Sequence, residues 1–86
     1  MKAIEKKMVA AVQGGYNFKE SNTEVICNDG EIRVLLFGNE IYRKTPVMVS
    51  YNDAGWPTVT TASRLRTLGV NCTHKGRGKN QRIIFE

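Results

Sequence analysis

The chain is short of the residues that build most active centres. It has one histidine, two cysteines and one tryptophan. Cys27 and Cys72 are too few for a disulfide framework. With His74 they lack the CxxC or HxxxH spacing that suits tetrahedral zinc, so no metal and no cofactor are expected. Cys72 and His74, two apart on a strand, project in parallel about 7 Å from each other. That is too far for the direct hydrogen bond of a nucleophile and its base, so no catalytic residue is assigned and no enzyme is expected. No apolar run approaches the ~18–20 residues of a membrane span. The first residues, Met1 to Lys7, lack the apolar stretch of a secretion signal. A cytoplasmic location and no membrane partner are therefore expected. Gly76-Arg77-Gly78 is not a P-loop, because no GxxxxGK[ST] lies between a strand and a helix. Repeats and low-complexity segments are absent.

Acids are scarce at one end. Residues 1–53 hold seven bases and seven acids. Residues 54–86 hold six bases (Arg64, Arg66, Lys75, Arg77, Lys79 and Arg82) against one acid, Glu86. The whole net charge of +5 thus lies in the last third of the chain. Such asymmetry points to an anionic partner, either nucleic acid or an acidic protein surface. A solvated basic surface that keeps a small protein soluble reads equally from the count. Aromatics near this end are sparse, Trp56 and Phe85, which argues against stacking on single strands.

What is present is an ordinary soluble composition, 41% apolar and 24% charged over 86 residues. That length supports one domain, residues 1–86. Ile4, Met8, Ala11 and Val12 recur at helical spacing, and Gly14-Gly15 stops the pattern, so residues 2–13 are predicted helical. Residues 16–22 read as a connector, with Tyr16 and Phe18 anchored in the core. Thr23–Cys27 and Glu31–Phe37 read as strands joined by Asn28-Asp29-Gly30, a hairpin signal. Ile32, Val34 and Leu36 share a face and Leu35 and Phe37 the other, as in a strand that is central or covered on both sides at its far end. Gly38-Asn39 is a second turn. A third strand starts at Glu40–Arg43 and continues through Val47–Tyr51, interrupted at Pro46 as at an edge or bulge. A second helix is predicted over about 60–68, capped by Thr58 or Thr60, with Leu65 and Leu68 inward and Arg64 and Arg66 exposed. A last hairpin runs from Val70–His74 through a basic loop to Gln81–Phe85. The prediction is an α+β fold in the order α-β-β-β-α-β-β, an antiparallel meander with helices packed on it and a basic C-terminal hairpin.

A helix followed by a basic hairpin resembles the recognition helix and wing of winged-helix DNA-binding domains. A strand and a turn precede this helix, however, so the two-helix element of that fold is missing. Trp56 reads either as a plug under the helix N-terminus or as an exposed anchor for a protein partner.

The segments AIEKKMVAAVQGGYNF, NTEV, FGNEI and GWPTVTTASRLRTLGV together resemble small accessory proteins encoded by tailed bacteriophages. The most specific part is Gly55, Trp56, Thr58, Thr60, Thr61, Arg64 and Leu65. The resemblance implies phage origin and expression in the host bacterial cytoplasm. It supplies no catalytic or binding residues. Small phage proteins of this kind redirect or block host machinery. The leading expectation is therefore a non-enzymatic protein that binds and inhibits a host protein or complex, such as a defence nuclease, an RNA-guided interference complex, or the replication or transcription apparatus. The alternative is a nucleic-acid-binding module for DNA or RNA. Either uses Arg64, Arg66, Lys75, Arg77, Lys79 and Arg82 as contacts, with Trp56 as a possible anchor, and a homodimer through an edge strand is compatible with both.

Overall fold

The computed structural model of the protein describes residues 2–86. Helix α1 (Ala3–Gly14) leads into strands β1 (Phe18–Glu20), β2 (Thr23–Asn28), β3 (Glu31–Leu36), β4 (Asn39–Lys44) and β5 (Val49–Tyr51). Helix α2 (Val59–Thr67), β6 (Cys72–Lys75), a 3-10 turn (Gly78–Asn80) and β7 (Arg82–Phe85) complete the chain. The first five strands form one antiparallel meander in sequential order, with β3 at its centre. The last two form a separate hairpin. The α+β architecture follows the prediction. Two more strands are present, for local reasons.

β1 lies within the expected connector. At three residues it is too short to show a period, and it exists by pairing Phe18–Glu20 with Thr23–Val25. Phe18 packs against the core, whereas Tyr16 is exposed, contrary to expectation. The expected third strand is two strands folded back on each other. Thr45 closes the turn between β4 and β5. Its Oγ1 accepts from the N–H groups of Val47 and Met48, and its own N–H bonds the Met48 carbonyl at 2.8 Å. Pro46 therefore sits in a loop and needs no ladder donor.

Alternation sorts the meander into two faces. Thr23 and Val25 of β2, Val34 and Leu36 of β3, and Tyr42 of β4 are buried on one face. The register slips between Val34 and Leu35, so Ile41 has no partner of its own and is buried next to Tyr42. Both helices pack on this face. Met8, Ala11 and Val12 of α1 and Ala62 and Leu65 of α2 complete the core with Val70, Cys72 and Ile83. Helix α2 lies against β4, β6 and α1 and so joins the meander to the hairpin. The fully buried Leu65 is worth about 2–5 kcal/mol against alanine.

The opposite face carries charge. Arg33 and Arg43 stand directly across β3 and β4, an arrangement that repels by itself. Glu40 bonds both, taking Arg43 in a bidentate clasp at 2.9 and 3.1 Å. Arg43, then Arg33, hold the Glu40 carboxyl below its usual range against the opposing effect of burial.

Both helices end as their sequences predict. Gly15, at φ +70, closes α1, and its N–H bonds the Ala11 carbonyl. Thr58 caps α2, its Oγ1 accepting from the Thr61 N–H at 3.2 Å.

Candidate functional site

The six basic residues do not form one patch. Lys75, Arg77, Lys79 and Arg82 are exposed together at the tip of the β6–β7 hairpin, where Lys75 and Arg82 are cross-strand partners. Arg66 is exposed at the other end of that hairpin, beside Asn71, Cys72 and Glu86.

Arg64 is in neither place. It was expected at the surface, and it is 4% exposed. Its Nη1 donates to Glu5 Oε2 at 2.9 Å, its Nε to Thr23 Oγ1 at 3.1 Å and its Nη2 to Asn22 Oδ1 at 3.4 Å. Glu5, 3% exposed, also accepts from the Ser63 hydroxyl and from the Lys2 backbone N–H. Burial alone would raise the Glu5 carboxyl, but Ser63, Lys2 and Arg64 together hold it below its usual range. This network fastens α1, α2 and the β1–β2 turn to one another. Arg64 is therefore a structural residue in this conformation and is unavailable as a contact. The signal in the sequence is Glu5 itself. It precedes Met8 by three and Val12 by seven, so it shares the apolar stripe of α1, and a carboxylate there requires a partner.

A second surface contains Trp56, the possible anchor, and a residue that the sequence does not single out, Phe37. Phe37 was read as a strand residue before a turn at Gly38-Asn39. The turn is Phe37-Gly38 instead, with φ +51 and +78, the two positive values of a type I′ hairpin. Phe37 is 72% exposed. Its N–H bonds the Asn22 carbonyl at 2.8 Å, and its own carbonyl accepts from the Asn39 side chain. It shares the lining of a groove of about 450 Å³ with Trp56, which is 62% exposed. Trp56 is thus a surface residue and not a plug. Leu36, Ile41, Asp53 and Ala54 are also among the groove's lining residues. The 52–56 loop is firmly built. Asn52 and Asp53 side chains accept from the N–H groups of Ala54 and Gly55, and the Trp56 N–H bonds the Asp53 carbonyl at 2.8 Å.

Cys72 and His74 do not meet. Cys72 is buried and its thiol points to the Ala62 carbonyl; burial pushes its pKa up. His74 Nε2 pairs with Gln81 Oε1 at 2.9 Å. Among the described residues, no three His, Cys, Asp or Glu side chains gather as a metal site would require, and no helix is long and apolar enough to cross a membrane.

The fold and its surfaces define a small two-helix α+β domain with a groove lined by two exposed aromatics and a cationic hairpin tip. The chain belongs to the Kyanoviridae Gp96 protein family, whose sequence pattern matches residues 1–84. It is a bacteriophage protein, in line with the resemblance of its sequence segments. No curated protein and no solved structure matches the chain.

Proposed function

We propose that this phage protein acts by binding, without chemistry of its own, and that it inhibits or redirects a host protein or complex held at the Phe37–Trp56 groove. The observation that carries this reading is Phe37. A bulky side chain at positive φ is a backbone outlier, costing roughly 1–2 kcal/mol where asparagine or glycine would fit easily. Phe37 offsets little of that by burial, since most of its ring faces water. Strain retained without a packing return marks a position kept for contact. Trp56, which lines the same groove, is of a residue type enriched at interface hot spots. The two aromatics, with Leu36, Ile41 and Ala54 in the same lining, supply the apolar centre that a protein interface needs.

The test is affinity capture from nuclease-treated host lysate with the tagged full chain, its F37N variant and its W56A variant. A host protein recovered in stoichiometric amount by the wild type and lost with both variants supports the reading. Equal recovery with F37N and W56A, or no host protein at all, refutes it.

A further inference from the structure

The β6–β7 hairpin has a composition that folding does not explain. From Lys75 to Arg82 the chain reads Lys-Gly-Arg-Gly-Lys-Asn-Gln-Arg, four cations in eight residues with no acid and no apolar side chain. Lys75 and Arg82 are directly opposed across the strands, a like-charge pairing that destabilises a hairpin. Among the described residues, no acid lies within ion-pair distance of any of the four. Glu86, the one acid in this third of the chain, lies beyond Phe85 at the far end of the ladder, where the Thr73 hydroxyl bonds it. Its backbone is four residues, about 13 Å, along the strand from Arg82.

The tip is shaped. Gly76 has φ +79, and a Cβ there would run into the Asn80 carbonyl, so the chain closes too tightly for any other residue. Arg77 and Gly78 carbonyls accept from the Asn80 and Gln81 N–H groups, forming one 3-10 turn. His74 and Gln81 brace the strands just below it. Four cations are thus held on a short, closed projection.

We propose that this tip binds the phosphodiester backbone of duplex nucleic acid, independently of sequence. Protein interfaces need a desolvated apolar centre, and residues 75–82 contain none. Phosphate contacts are made by arginine, lysine, asparagine and glutamine, and these, with the two glycines, are all that the segment holds. The nearby aromatics, Tyr51 and Phe85, pack against each other with ring centroids 5.4 Å apart, and Phe85 is three residues along β7 from Arg82. They give the tip no platform for stacking unpaired bases. The inference does not rest on the groove, which is lined by the β3–β4 hairpin, the loop that follows β5 and the start of α2.

The experiment is fluorescence anisotropy with a labelled duplex of about 20 base pairs, in two unrelated sequences, titrated with the full chain at several salt concentrations. Four phosphate contacts predict a slope of log K against log salt of about −3.6, a loss of about 150-fold between about 50 and 200 mM, alike for both sequences. R77Q/K79Q removes two exposed charges from the loop. It should keep the wild-type melting temperature and about halve the slope. No binding at the lowest salt, a slope shallower than about −1, or a slope unchanged by R77Q/K79Q overturns the proposal. So does capture, in place of DNA, of an acidic protein that survives nuclease and is lost with R77Q/K79Q.

Discussion

Replacing Arg64 by alanine removes the cation from a carboxylate that water cannot reach. Glu5 would keep the Ser63 hydroxyl and the Lys2 N–H but would lose its counter-charge at 2.9 Å. Stranding one partner of a buried pair costs about 3–5 kcal/mol. Unfolding entropy scales with length, so 86 residues give about 0.18 kcal/mol per kelvin near the midpoint. The expected fall in Tm is therefore about 15–30 °C, a large part of the ~5–15 kcal/mol that holds a domain together. The double variant E5L/R64M separates the value of the pair from the penalty of breaking it. Apolar replacements of similar size often match a buried ion pair, and Thr23 and Asn22 still bond each other at 2.8 Å, so most of the loss should be recovered. Circular dichroism melts of wild type, R64A and E5L/R64M, each with and without about 0.5 M salt, form the assay. Salt should leave the R64A deficit unchanged, because a buried pair is little screened. A fall below about 5 °C for R64A, or a double variant no more stable than R64A, would refute the reasoning.

Three further outcomes are expected. F37N creates the Asn-Gly pair that type I′ turns favour, so it should raise stability by about 1 kcal/mol while abolishing capture at the groove. A drop in urea midpoint would show that Phe37 is a packing residue. The carboxyls of Glu5 and Glu40 both lie below their ordinary 4.5 in the folded protein, so the unfolded chain takes up protons first as pH falls. Their contribution is complete above the unfolded value and is lost as pH drops towards the folded ones; the urea midpoint should be level near neutrality and fall as pH drops through and below the ordinary 4.5. A midpoint that rises through that window contradicts the sign. The buried Cys72 thiol, with its raised pKa, should react with a thiol reagent only on unfolding, while half-buried Cys27 reacts in the native protein. Mass spectrometry of the labelled sites after a short exposure distinguishes them, and equal labelling would contradict the placement of Cys72.

Signals that act within a few residues were legible. Asp29-Gly30 predicts its hairpin because two adjacent positive φ values need such residues. Thr58 caps α2 and Gly15 closes α1, each through bonds to neighbours within four residues. The alternation of Ile32, Val34 and Leu36 sets one face of β3 towards the core, since period two needs no distant information. Short or folded-back elements were not legible. β1 has three residues and depends on β2, and the break between β4 and β5 depends on the Thr45 side chain choosing to close a turn.

The candidate surfaces divide along the same line. Charge count alone places a cationic tip at 75–82, because a polar glycine-rich loop between two strands has nowhere to go but outward. The destinations of Arg64 and Phe37 were decided by tertiary structure. Arg64 sits one residue, about 100° of helix, from the buried Leu65, a boundary position that propensity leaves open. What settles it is Glu5, 59 residues earlier, which can be buried only with a cation beside it. Phe37 and Trp56 are both large and apolar; local sequence places Phe37 in a strand and leaves Trp56 open between a plug and an exposed anchor. Their exposure arises because the meander turns at Phe37 and the Asn52–Trp56 loop carries Trp56 to the lining of the same groove, so the core is complete without either ring.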